Sequence, residues 1–494
     1  MLKTTLLSAM LFKRSYLMTK EQEQFIQRFL SELEEDNVAI FAGAGMSCSA
    51  GYVNWRELLR PLAKELNLDI DNEQDLVGVA QFYLNENGRN RISQQLIDEI
   101  ATAKKPTENH SILARLPIRT YWTTNYDKLI ERSLEEQGKV VDVKYTNNHL
   151  AVTKKKRDAI IYKMHGDIEH ADSAVITKDD YERYPLLKKP YITALSGDLV
   201  SKTFLFLGFS FTDPNLDYIM SRVRAYFEEH QRQHYCIFKQ CNKDDFRDIP
   251  TYENAVIKQG LLIKDLSRFQ VKTILVESYS DVTLILSRIE RTFRRKTIFL
   301  SGSASDFGKF NQADIETFLC QLGRVLIERN YKISSGIGLG IGNVFITGAI
   351  QGVYARHNGR INDYLNMKPF PQHIDDINQR NETWSKYRHE IIGSAGIAIF
   401  FMGNKIVDGK IVSADGVRKE FEIAHKLGLA LIPIGCSGFM AQEIWTEVMN
   451  NLTVYYDESN TELISALQKL GEPVDKPEQL IEKILTVVDL MSQE

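Results

Sequence analysis

Several short polar clusters in this 494-residue sequence each follow an apolar run, the arrangement by which a parallel strand delivers side chains to a ligand edge. The sharpest is Val38-Ala39-Ile40-Phe41-Ala42-Gly43-Ala44-Gly45-Met46-Ser47. Its glycines let backbone N–H groups approach a pyrophosphate without a Cβ clash, and a helix start adds free donors and a favourable dipole. A plain tight turn is the competing explanation, and Cys48 beside it reads as a small filler rather than a nucleophile. Thr123-Thr124-Asn125-Tyr126-Asp127 and Met164-His165-Gly166-Asp167 end two further runs. An imidazole titrates near neutrality, so His165 suits a base or a partner for a ribose hydroxyl, set against a satisfied histidine in a tight turn. Asp127 has a competing task as a helix N-cap, and Asn125 as a turn stabiliser. In Gly208-Phe209-Ser210-Phe211-Thr212-Asp213-Pro214-Asn215, capping by Asp213 ahead of Pro214 is a complete structural explanation.

A second set lies in the last 200 residues. Leu300-Ser301-Gly302-Ser303-Ala304-Ser305 follows an apolar run, and Ser334-Ser335-Gly336-Ile337-Gly338-Leu339-Gly340-Ile341-Gly342 precedes a helical one, both suited to phosphate. Arg388 falls in the helical stretch 384–392, Lys405 beyond a strand ending near 402, and Glu420 early in a helix. Arginine and lysine suit phosphate or pyrophosphate, and a carboxylate accepts from ribose hydroxyls; a solvated surface charge is the ordinary alternative for each.

Holding such groups at one edge requires parallel strands joined by helices, and the alternation of short β-branched runs with longer amphipathic ones predicts that arrangement twice. Strands are expected at 38–42, 119–123, 159–163, 204–207 and 235–238, with helices that include 55–66, 91–103 and 127–136. A helix over 281–292 leads into Arg294-Arg295-Lys296, after which strands at 297–300, 332–334, 396–401 and 430–434 alternate with helices at 314–328, 342–354, 418–427 and 479–490. The expected organisation is a leader and helix over 1–36, an α/β domain over 37–293 and a smaller α/β domain over 294–494. Residues 1–20 read as a loosely ordered leader rather than a signal peptide.

Composition narrows the classes. Hydrophobic residues make up 43% and charged residues 26%, with no long apolar run, which fits a globular chain in water and argues against a spanning helix. The 61 basic and 65 acidic residues leave a net charge of −4, so neither nucleic acid nor a membrane surface is an expected partner. Five scattered cysteines without a CxxC pair fit a reducing, cytoplasmic compartment and exclude a four-cysteine zinc site.

Taken in order, Gly-Ala-Gly-x-Ser, Thr-Thr-Asn-Tyr-Asp, His-Gly and Gly-Phe-Ser resemble the sirtuin family over about 37–289. The resemblance implies a Rossmann-type parallel-sheet domain with NAD+ as substrate. It assigns the phosphates to Gly43, Ala44, Gly45 and Ser47, the ribose and reacting water to Asn125, the nicotinamide end to Asp127, the base to His165, and the adenosine side to Gly208 and Ser210. Two departures put acyl-lysine recognition aside: the zinc-binding cysteines are absent, and the usual Gly-Ile-Pro-Asp-Phe-Arg is Gly51-Tyr52-Val53-Asn54-Trp55-Arg56. The later glycine-rich turns resemble the SLOG superfamily, and the two-domain order resembles the effectors of the bacterial Thoeris anti-phage system. That resemblance implies an NAD+ hydrolase without a metal, a homotetramer, switched on by a cyclic ADP-ribose isomer from a TIR-domain partner protein. Gly302, Ser303, Arg388, Lys405 and Glu420 are the implied signal-binding residues. A sirtuin-type deacylase and a non-catalytic nucleotide sensor are the alternatives.

Overall fold

The structure is a computed structural model that describes residues 18–493, apart from 229, 358, 372 and 373. Most of the expected leader, up to residue 17, lies outside the described residues. The chain divides into two units, Met1–Glu290 and Arg291–Glu494.

The first unit is built on β1 (Val38–Ala42), β2 (Thr120–Thr123), β3 (Val141–Lys144), β4 (Ala159–Lys163), β5 (Thr203–Leu207), β6 (His234–Lys239) and β7 (Val271–Val276). All pair in parallel, in the order β3-β4-β2-β1-β5-β6-β7. β1 and β5 are buried at every position, the signature of central strands covered by helices on both faces. From β1 the chain adds β2, then the edge strand β3, then β4 between those two, and returns to β1's other side as β5. The order therefore reverses at β1, and its carboxyl end is the switch point where such sheets bind ligands.

Alternate side chains of these strands feed separate cores. Ala39, Phe41, Trp122, Phe204 and Phe206 pack with Tyr184, Tyr191, Leu195 and Ile219 from the following helices. Between β1 and β2, the helices Trp55–Glu65, Leu76–Asn87 and Arg89–Ile100 form a lobe with its own core. That core takes in Tyr126 and Leu129 from beyond β2 and Ala171, Ala174 and Ile176 from beyond β4, so the lobe is anchored on the two loops that carry Asn125 and His165. Strands β3 and β7, at the sheet edges, were not among the expected ones. Asp142 and Lys144 interrupt the apolar pattern of β3, yet both are buried and paired with each other at 2.8 Å.

The second unit carries a five-stranded parallel sheet, β8 (Thr297–Ser303), β9 (Lys332–Ser335), β10 (Leu365–Met367), β11 (Ile397–Met402) and β14 (Ala430–Pro433), in the order β10-β9-β8-β11-β14. A separate antiparallel hairpin, β12 (Asn404–Val407) and β13 (Lys410–Ser413), leaves the end of β11. Phe318, Leu322, Phe345 and Ile484 cover one set of the five-stranded sheet's side chains, Ile392, Phe421 and Ile444 the other.

Candidate active site

Three glycines bring two loops together at the switch point. A Cβ on Gly43 would lie 2.4 Å from the Gly208 carbonyl oxygen, and one on Gly45 2.8 Å from Gly208 Cα. Gly208 itself sits at φ +62°, where a Cβ would stand 2.3 Å from the Met46 nitrogen. No side chain fits at any of the three, and close backbone contact is the reason. Gly43 donates to Leu207 O at 2.9 Å and Gly45 to Gly208 O at 2.8 Å. Both amides are therefore engaged within the loop pair, where the family resemblance implied that they face phosphates. Ser210 is exposed, its hydroxyl 2.8 Å from that of Thr212.

A polar chain crosses from β1 to β2. Asn125 Nδ2 donates to Gly43 O and to Ser47 Oγ, each at 2.9 Å, and Ser47 donates onward to Asp127 Oδ2 at 2.6 Å. Ser47 and Asp127 are buried, whereas Asn125 is half-buried. The second oxygen of Asp127 accepts from the N–H of Leu129, the first residue of the next helix, at 2.9 Å, although the N-cap position itself is Lys128. With both NH2 contacts made, the orientation of the Asn125 amide is held by its neighbours rather than by solvent.

His165 reaches the same edge from β4. Thr123 and Lys163 are directly paired across β2 and β4, and Asn125 and His165 each stand two residues beyond them. Adjacent strands lie about 4.8 Å apart, so register alone puts the two loops side by side. His165 is buried, and its Nε2 lies 3.3 Å from Asp213 Oδ2, outside hydrogen-bond alignment. The rings of Tyr181 and Tyr184 meet it edge-on at 5.5 and 6.3 Å. Burial lowers its pKa, the Asp213 carboxylate opposes that shift, and Lys188 adds to it, so the imidazole is neutral and able to accept a proton.

Asp213 does more than cap. Its Oδ1 accepts from Asn215 N and Leu216 N at 3.0 Å, while its Oδ2 faces His165 and receives Tyr181 OH at 3.3 Å. A capping motif in the sequence conceals the second oxygen's use; only the fold reveals it. Cys48 is half-buried with its pKa raised by burial and by Asp127, a poor thiolate. In the altered segment, Asn54 caps the helix Trp55–Glu65 and Arg56 donates to the carbonyls of Ile70 and Glu73. Among the described residues no group of three or more His, Cys, Asp or Glu side chains could hold a metal ion.

In the second unit, Arg388 and Glu420 are buried and paired at 3.4 Å. Glu420 also accepts from Ser301 Oγ at 2.6 Å, a contact that ties β8 to the helix Asp415–Lys426. Burial raises the Glu420 pKa against the pull of Ser301 and Arg388. The Arg388 guanidinium lies over the rings of Phe370 and Trp384 at 5.0 and 5.7 Å. A Cβ on Gly416 would be 3.3 Å from Arg388, and Lys405 pairs with Asp415, so both cations flank the start of one helix. Gly302 packs against Phe401 O, leaving no room for a side chain, and Ser303 donates to Asn404 O at 2.9 Å. All five expected residues thus lie at the carboxyl edge of β8 and β11, and Ser301 joins them.

These two edges define a protein of the sirtuin-like plus SLOG class. A SIR2-like domain model matches residues 119–257, and a model of the Sir2- and TIR-associating SLOG family matches 281–491. The chain is 55% identical over 478 residues to NAD(+) hydrolase ThsA of Acinetobacter baumannii (strain 532279), covering 95% of this chain and 99% of that one. It is 48% identical over 472 residues to NAD(+) hydrolase ThsA of Bacillus cereus (strain MSX-D12), covering 95% and 98%. Over 214 residues it is 26% identical to defense-associated sirtuin 2 of Bacillus subtilis, covering 40% of this chain and 20% of that one. The chain belongs to the ThsA family.

Proposed function

We propose that this chain is an NAD+ glycohydrolase that releases nicotinamide and ADP-ribose, is switched on by a cyclic ADP-ribose isomer at its second unit, and depletes NAD+ in anti-phage defence. The carrying observation is near full-length similarity to a protein named NAD(+) hydrolase, in a chain whose Asn125 and His165 each stand two residues beyond the directly paired ends of β2 and β4. Nicotinamide leaves as a neutral molecule from a cationic pyridinium, so no general acid is needed at the leaving group. The protein has to orient the dinucleotide, stabilise oxocarbenium-like charge on the ribose and admit water.

In this reading Asn125, held by Gly43 and Ser47, presents its amide oxygen to the ribose and the reacting water. His165, neutral and backed by Asp213, takes a proton from the attacking water or a ribose hydroxyl. Gly43, Ala44, Gly45, Ser47, Asp127, Gly208 and Ser210 shape the dinucleotide site. Arg388, Lys405, Gly302, Ser303 and Glu420 bind the messenger, the cations taking phosphate and the carboxylate ribose hydroxyls. A TIR-domain protein supplies that messenger, and the chain acts as a cytoplasmic homotetramer. Gating follows from the chemistry, since an ungated NAD+ hydrolase would exhaust its own cell. No described helix is long and apolar enough to cross a membrane.

The test is nicotinamide release from NAD+ by purified protein with and without cyclic ADP-ribose isomers, repeated with Asn125→Ala and His165→Ala. Both variants are expected to be silent under every ligand. Acyl-ADP-ribose formed from an acyl-lysine peptide would restore the deacylase reading. NAD+ binding without nicotinamide release would leave a sensor.

A further inference from the structure

We propose that Lys163 is a positioning residue for the glycosidic cleavage, a buried cation that sets the placement of Asn125 relative to His165. The proposal rests on the hydrolase reading above and adds to it a residue outside the site motifs.

Lys163 ends β4 and has no solvent exposure. Its ammonium donates to Tyr126 O at 3.0 Å, Asp127 O at 2.6 Å, Glu131 Oε1 at 3.0 Å and Asp167 Oδ2. The first three acceptors lie in the loop and helix that follow β2; the fourth lies two residues beyond His165. One cation therefore joins the loop of Asn125 and Asp127 to the loop of His165. Asp167 is held in turn, its Oδ1 accepting from Glu169 N at 2.9 Å. Cation and two carboxylates leave the cluster one negative charge, and all three side chains are more than nine-tenths buried. Such a group is costly to bury and is weak evidence for stability alone, so its arrangement across two site loops calls for another purpose.

A second buried lysine in the same sheet serves as a control. Lys144 at the end of β3 is also buried and paired with a carboxylate, Asp142, at 2.8 Å. Its ammonium also donates to Val152 O, and neither partner belongs to a site loop. Losing Lys163 leaves Glu131 and Asp167 without a cation, whereas Asp142 keeps Arg157 at 2.9 Å when Lys144 is lost, and of the two lysines only Lys163 touches the loops of Asn125 and His165.

The experiment measures kcat and KM for NAD+ in messenger-activated protein bearing Lys163→Met, Lys144→Met, Asp167→Asn or Lys163→Met/Asp167→Asn. Circular dichroism and thermal melts fix the folded fraction. The double variant keeps the cluster's charge at one negative unit and leaves one carboxylate, Glu131, without its cation, where Lys163→Met leaves two. In Asp167→Asn, the amide oxygen still accepts from Glu169 N, while the arm to Lys163 is lost. Positioning predicts that kcat per folded molecule falls at least 30-fold in both Lys163 variants and at least tenfold in Asp167→Asn. KM should stay within threefold of wild type, and Lys144→Met should keep kcat within twofold. Wild-type turnover with kcat within threefold in the folded Lys163 variants, or an equal loss in Lys144→Met, overturns the proposal alone. Wild-type silence under every messenger overturns the hydrolase reading, and this proposal with it.

Discussion

Replacing Asp213 by asparagine separates two functions that one carboxylate combines. Oδ1 caps the helix Pro214–Phe227 through Asn215 N and Leu216 N, and an asparagine oxygen can accept the same two bonds. Stability should therefore change by less than about 1 kcal/mol, whereas Asp213→Ala forfeits the cap and costs about 0.5–2 kcal/mol. The charge facing His165 is lost in both. At the observed 3.3 Å and an effective dielectric constant of about 20, the attraction between that carboxylate and a protonated imidazole is about 5 kcal/mol. Relaxation of Tyr181 and nearby backbone dipoles returns part of it, leaving between about 2 and 5 kcal/mol of lost stabilisation for the imidazolium formed on proton transfer, roughly 30- to 5,000-fold in kcat. The assay is nicotinamide release under saturating NAD+ and messenger, with thermal melts of both variants. A kcat for Asp213→Asn within threefold of wild type, or a melting temperature as low as that of Asp213→Ala, would refute the reasoning.

Three other outcomes are expected. Burial lowers the pKa of His110 to about 4 and of His234 to about 3, so both are neutral in the fold but protonated in the unfolded chain below pH ~6.5. The unfolded state then binds more protons, and stability present above that pH should fall by up to about 3 kcal/mol per histidine between pH 6.5 and 4.5; urea midpoints that stay flat over this window would contradict it. Gly208→Ala adds a Cβ 2.3 Å from Met46 N at positive φ and should cost roughly 2–4 kcal/mol and abolish turnover. Gly51→Ala, at φ +94° in open space, should cost only about 1 kcal/mol, and melts of the two check the contrast. Arg388→Ala should weaken binding of the activating cyclic nucleotide at least 30-fold by calorimetry and remove its stimulation of turnover; unchanged affinity would place the messenger elsewhere.

Local pattern alone located much of the framework. Apolar runs ending in glycine or polar turns put β1 and β4 at their observed residues and β2 and β5 within one, because central parallel strands are continuously apolar and their turns are punctuated. The edge strand β3 escaped because Asp142 and Lys144 neutralise each other only once the strand is folded. Likewise β12 and β13 are four-residue strands of a hairpin, too short for periodicity to stand out.

From the residues of one chain, then, follow the polar groups at strand ends, the parallel α/β character of both halves and the absence of a cysteine cage. Contacts between residues 36 to 119 positions apart came only with the folded chain: Ser47 with Asp127, Lys163 with Tyr126 and Asp127, His165 with Asp213, Ser301 with Glu420. Sequence pattern reports what each residue does to its nearest neighbours. Which oxygen of Asp213 caps a helix and which one faces an imidazole depends on strand order and register, and these are set by the burial of whole faces rather than by any local run.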